Sequence, residues 1–169
     1  TEEADKEVYK KIVEAYQTQL VAEFLIVTRK EAQIPAFEYD EEITLTEEEA
    51  TAIIEYVSPK EGKEVVKVGV VGSSNDQWQA VQKVLDEENA GIYIELIELD
   101  AYNIPNEALN SGEIDLNAFQ HKAFLNNEIA VNGYDITPIG DTLIAPLTLY
   151  SEKFDTLDAL KEAAGLIAG

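Results

Sequence analysis

Apolar side chains recur at helical spacing through the first stretch of the chain. Val8, Ile12, Val13, Tyr16, Leu20, Phe24 and Leu25 fall on one stripe, while Lys10, Lys11 and Glu14 fall off it. The pattern predicts helix over residues 2–26, broken at Gln17-Thr18-Gln19, with Thr18 as N-cap of the second piece. Ile34-Pro35-Ala36-Phe37 ends the segment, because proline disfavours helix in the residue before it. Glu38 to Glu42 is acidic and reads as exposed. Thr46-Glu47-Glu48-Glu49 matches a capping box, and Ala50, Ile53, Ile54 and Val57 then give a short amphipathic helix. Ser58 to Lys63 is rich in turn residues.

From Glu64 the pattern changes to alternating strands and helices. Val65 to Val71 is a nearly unbroken β-branched run, as expected of a strand buried on both faces. Gly72-Ser73-Ser74-Asn75 is a turn, and Asp76 to Glu88 a helix carrying the single tryptophan, Trp78. Strand follows at Ile92 to Leu99, helix at Ile104 to Ser111, strand at Leu116 to His121 and helix at Lys122 to Val131. Asp135 to Tyr150 shows two extended runs split at Gly140-Asp141, and Thr156 to Ala164 closes as helix. This alternation implies a mostly parallel α/β sheet.

Composition narrows the function classes. At 46% hydrophobic residues, the 169-residue chain can bury a substantial core, so global disorder is not expected. A formal net charge of −22 disfavours nucleic-acid backbones and anionic membrane surfaces as partners. There is no cysteine, which excludes disulfides, thiol nucleophiles and cysteine-based zinc sites among these residues, and no lipid-attachment cysteine is expected in this stretch. The single histidine, His121, excludes a multi-histidine metal site. No signal peptide and no membrane-spanning apolar run is evident.

The candidate chemistry gathers around His121. If Leu116 to His121 is a strand, Asn117, Phe119 and His121 share one face near its C-terminal end, where open α/β sheets keep their ligands. Against this stands a histidine that merely satisfies itself at a strand end. The turn after Val71 offers free N–H groups for an anion, but it lacks the third glycine of a dinucleotide site and the lysine of a P-loop. Ser73, Ser74 and Ser111 are present without a nucleophile-elbow sequence, so catalysis by a serine and His121 ranks lowest.

One family resemblance runs through these motifs. Lys67-Val68-Gly69-Val70-Val71-Gly72, Tyr102 with Pro105-Asn106, Gly112-Glu113-Ile114-Asp115, Asn117-Ala118-Phe119-Gln120-His121-Lys122, Asn132-Gly133-Tyr134-Asp135, and Ile139-Gly140 with Leu149-Tyr150-Ser151 appear in that order. Together they resemble the first lobe of the methionine-binding (NlpA-type) lipoproteins of bacterial ABC importers, over residues 64 to about 162. The segment from Val8 to Gln17, on through Ile34 to Phe37, resembles the same family's C-terminal end, so the order reads as permuted.

The resemblance implies a three-layer periplasmic-binding-protein (type II) lobe with a central mixed, mostly parallel sheet. Residues 1–169 then form a single lobe: 1–37 as the family's C-terminal helices, 38–63 as a linker with a short helix, and 64–169 as the N-terminal lobe. It implies a methionine-like amino acid as ligand, held by Tyr102, Phe119 and His121 with Asn117 beside them. It also implies an ABC-transporter permease as partner and a cell-envelope location, with no catalysis, cofactor, nucleic acid or direct membrane insertion. The family's carboxylate-binding arginine belongs to the second lobe, and Arg29, the single arginine here, does not match it. Weak binding by this lobe is therefore expected. The alternative is a structural or engineered single-lobe scaffold with a vestigial pocket.

Overall fold

A computed structural model describes residues 2–146 and 151–163. Two helices come first, α1 (Glu7–Tyr16) and α2 (Gln19–Arg29). The break falls at Thr18, as predicted, but its hydroxyl donates back to the Ala15 carbonyl (2.9 Å) and does not cap α2. The apolar stripe is real: Ile12, Tyr16, Val21, Phe24 and Leu25 are buried. Ile34 and Pro35 form a two-residue strand, β1. The exposed acidic stretch leads to α3 (Glu47–Ile54), which begins with the predicted capping box. Thr46 Oγ1 accepts from the Glu49 N–H (3.2 Å), and the Glu49 carboxylate accepts from the Thr46 N–H (2.9 Å).

The alternating segment supplies β2 (Glu64–Val71), α4 (Gln77–Glu87), β3 (Ile92–Leu99), α5 (Ile104–Ser111), β4 (Leu116–Asn117), α6 (Lys122–Asn132), β5 (Leu143–Ile144) and α7 (Leu157–Ala163). The fold is α/β, with a three-stranded sheet in the order β3-β2-β4, flanked by helices. All pairing in it is parallel, with Val68 opposite Leu116 and Gly69 opposite Asn117. The antiparallel component expected of a mixed sheet lies apart, in the pair β1–β5.

The β2 strand departs from the expectation of burial on both faces. Val66, Val68 and Val70 are buried on the α4 side, whereas Val65 and Lys67 are exposed. β-branching fits a pleated strand whether one or both faces are covered, so composition could not separate the cases. The opposite face closes only at Gly69. A Cβ there would sit 2.5 Å from Ile114 Cδ1, so the absent side chain lets the segment leading into β4 approach.

The first 63 residues are built into the molecule. α1 and α2 pack on α4, and α3 packs on both α2 and α4. Tyr16 meets the Trp78 ring edge-on at 5.1 Å. Buried Glu23 accepts from Gln19 Nε2 (2.9 Å), the Leu45 N–H (2.7 Å) and Thr44 Oγ1 (3.2 Å), which fastens the stretch before α3. The residues after α3 are tied at Asp86, which accepts from Tyr56 Oη (2.8 Å) and from Gln82 Nε2 (3.0 Å), and which pairs with Lys63. Burial alone would raise the Asp86 carboxyl, but Lys63, Ser58 and Tyr56 outweigh it and hold the group below the usual carboxylate range.

Two predicted elements are shorter than expected. Strand ends at Asn117, so Ala118 to His121 is irregular. Between Asp135 and Pro146 the only regular strand is β5; residues 147–150 of the predicted second run, Leu149-Tyr150 of the family pattern and Ala164 of the last helix lie outside the described residues.

Candidate functional site

The segment after β4 is shaped by amides. Asn106, in the first turn of α5, is fully buried. Its Nδ2 donates to Gln120 Oε1 (2.9 Å), and its Oδ1 accepts from Gln120 Nε2 (2.6 Å) and from Asn117 Nδ2 (3.0 Å). Asn117 Nδ2 also donates to the Pro105 carbonyl (3.2 Å). These bonds bend the chain out of the sheet after two residues, because the side chains of Asn117 and Gln120 both turn back to α5. Pro105 suits the start of α5, where no helical hydrogen bond needs its missing N–H.

That bend presents Phe119 and His121. The Phe119 ring lies 5.9 Å from Tyr102 and 6.2 Å from Phe124, and Phe124 lies 6.3 Å from His121. The four rings form a chain of contacts, of which Phe119 and His121 reach an open cleft of about 520 Å³. Asn117, Phe119 and His121 line the cleft, and Ile136 to Ile144 forms much of the facing wall. Tyr102 is 64% exposed and is not among the lining residues; it reaches the site only through Phe119. Lys122 and Asp141 form an exposed ion pair across the mouth at 2.7 Å.

His121 is the N-cap of α6, not the end of a strand: its Nδ1 accepts from the Phe124 N–H at 3.1 Å. The shared strand face predicted for Asn117, Phe119 and His121 therefore does not exist, although all three line one cleft. Asn117 spends its donor on α5. Asn106 and Gln120 were not singled out from the sequence. Both stand within the quoted family motifs, but neither the motifs nor a spacing of fourteen residues shows that they meet.

The other candidate chemistry disperses. In the turn after β2, Asp76 stands at the start of α4 without capping it, and its carboxylate pairs with Arg29. Ser111 Oγ donates to the Ala108 carbonyl (3.1 Å), and His121 bonds to backbone. No group of three or more histidine or carboxylate side chains suited to a metal occurs among the described residues. No helix among them is long and apolar enough to cross a membrane.

Residues 66–168 match the profile of the NlpA lipoproteins. The chain belongs to the NlpA lipoprotein family. This is a family of substrate-binding lipoproteins, not of enzymes. Among its relatives is the D-methionine-binding lipoprotein MetQ of Salmonella typhi, 39% identical over 99 residues, which are 59% of this chain and 36% of that protein. MetQ of Escherichia coli K12 is 36% identical over the same shares of both chains. A solved nutrient-binding protein from Burkholderia cenocepacia bound to methionine is 40% identical, covering 55% of this chain and 39% of that one, with a TM-score of 0.47. The chain thus spans about a third of the length of the curated relatives it matches. The matched family segment contains Tyr102, Asn117, Phe119 and His121.

Proposed function

We propose that this chain is the lobe of an ABC-importer substrate-binding protein that recognises methionine or a related amino acid. The observation that carries this reading is the aromatic row ending in His121, set beside a cleft at the end of β4 within the family-matched segment. Aromatic faces suit a polarizable thioether, at about 0.3–1.5 kcal/mol per contact. In this reading Phe119 and His121 contact the side chain, Tyr102 closes over Phe119 from the solvent side, and Asn117 holds the wall in shape. The permease and the cell envelope follow from the same reading.

The N-terminal segment is read as the family's C-terminal helices in permuted order, joined through residues 38–63. Its support is the cover that α1 and α2 give α4, and the pairing of β1 with β5, which brings residue 34 beside residue 144. Termini of compact domains lie close enough for such rearrangement.

Binding by these 169 residues is expected to be weak. The cleft is open, Tyr102 and His121 are exposed, and Arg29 is committed to Asp76, so no arginine is left for the ligand carboxylate. A nanomolar complex corresponds to about −12 kcal/mol, and losing roughly half of that leaves micromolar to millimolar affinity. The test is a methionine titration followed by NMR. Shifts confined to Tyr102, Phe119, His121 and their neighbours, and lost in Phe119→Ala, support the reading. Submicromolar affinity, or a ligand seated elsewhere, overturns it. A scaffold with a vestigial pocket is the second reading, favoured by the commitment of Asn117 to α5, and it predicts no ligand-dependent shift at all.

A further inference from the structure

His121 carries a constraint that its position in a binding site does not require. Its Nδ1 accepts the Phe124 N–H, the cap of α6. A neutral imidazole has one N–H and one bare nitrogen. A nitrogen that accepts a backbone N–H is the bare one, so the proton sits on Nε2. Among the described residues Nε2 has no protein partner, and the ring lines the cleft. The helix cap therefore fixes the polarity of the ring and leaves an N–H donor at the cleft.

We infer that His121 is a specificity-determining residue, held by the α6 cap as the Nε2–H tautomer so that it donates to a ligand whose apolar part carries a hydrogen-bond acceptor. This rests on the amino-acid-binding reading above. The neighbouring surface explains why the acceptor belongs to the apolar part. Phe119 lines the same cleft as His121, and Phe124 stands edge-on to both rings, so a ligand in the cleft at His121 meets a partly aromatic wall. A thioether sulfur is such an acceptor, and a sulfoxide oxygen is a stronger one. A methylene is not, so an isosteric aliphatic side chain fills the same space and leaves the donor without a partner. Selection between methionine and norleucine thus falls in part to the cap of a helix, through the tautomer it imposes.

Because His121 is the single histidine, its ring nitrogens can be read without assignment ambiguity. In the ligand-free chain labelled with 15N-histidine, at a pH where the imidazole is neutral, Nδ1 should resonate as the bare nitrogen and Nε2 as the protonated one. The opposite pattern, or an averaged one, overturns the inference whether or not ligand binds. Methionine and norleucine are then titrated against the parent chain and against His121→Ser, which keeps a capping oxygen for α6 but puts no donor at the position of Nε2. The methionine-to-norleucine affinity ratio should fall by about three- to tenfold in the serine variant, since loss of ring packing affects both ligands alike. An amide N–H of Phe124 that stays protected from exchange in that variant shows the cap to be intact. An unchanged ratio overturns the inference and leaves methionine binding standing. If neither amino acid binds the parent chain, the binding reading itself fails and the inference falls with it.

Discussion

Around α4, side chains from α1, α2, α3, β2 and β3 meet in one buried cluster that runs from Tyr9 to Ile94. Past residue 100, the buried apolar side chains among the described residues are Pro105, Ala108, Ile114 and Leu125. The first region has two eight-residue strands and three helices stacked on a fourth. The second has two-residue strands and a shape held largely by amides. Tyr102, Phe119, His121 and Phe124 all sit in the second region. Segments with few buried contacts open locally at low cost, and binding surfaces are drawn from that end of the stability range. The dense region stores stability, and a ligand bound as proposed would meet the sparse one.

The largest test of this division is removal of residues 1–37, which would strip α1 and α2 from α4 and bare Trp78, Val81 and Leu85. Aggregation or loss of cooperative melting is the expected outcome. A shortened chain that stays monomeric and melts as before would break the comparison.

Single substitutions grade it. Phe24→Ala, at a fully buried site in the cluster, should cost about 3–5 kcal/mol in denaturant unfolding, and Leu125→Ala in the sparse region about 2 kcal/mol. Equal costs would mean that the two regions are packed alike.

A third test addresses the clamp at Asp86. Its carboxyl is held below its ordinary value in the folded chain, so its contribution is fully present above the unfolded value, near pH 4, and is lost as pH falls through the folded one. Asp86→Asn should cost about 1.5–3 kcal/mol at neutral pH and flatten the acid limb of the stability curve. An acid limb identical to that of the parent would show the clamp to be inert. Thr46→Ala is the smallest expected effect on the dense side, about 0.5–2 kcal/mol from the lost cap, with the ligand-induced shifts at Phe119 unchanged.

The same division decides what could be read from the sequence. Helices with a buried stripe, such as α1 and α2, declare their period. The capping box at Thr46 is a four-residue pattern with a local cause, and the βαβ core from β2 to β3 follows from β-branched runs and turn residues. The geometry around the candidate residues was not legible in the sequence. Ala118 to His121 has strand-like composition, but Asn106, more than ten residues earlier in the chain, draws Asn117 and Gln120 out of line. His121 looked like a strand end because a cap with histidine as acceptor has no strong sequence signature. Strand spacing grouped Phe119 with His121 for a reason the structure does not keep, and only the family resemblance set Tyr102 beside Phe119.

The short pairing of β1 with β5 has a consequence for the order of folding. Ile34 faces Ile144, Gln17 Nε2 donates to the Asp141 carbonyl (2.9 Å), and the space at Gly140 is bounded by Val13. These contacts join two segments far apart in sequence into a ring clasped without a covalent bond. Closing a loop of this length costs roughly 4 kcal/mol of chain entropy, recovered only when both ends already have surfaces to meet. The β2-α4-β3 unit has nearby partners and can form early, whereas the clasp must wait for it. The wall from Ile136 to Ile144 then takes its final course last, so the cleft is completed when the α1–β1 segment meets the stretch that leads into β5.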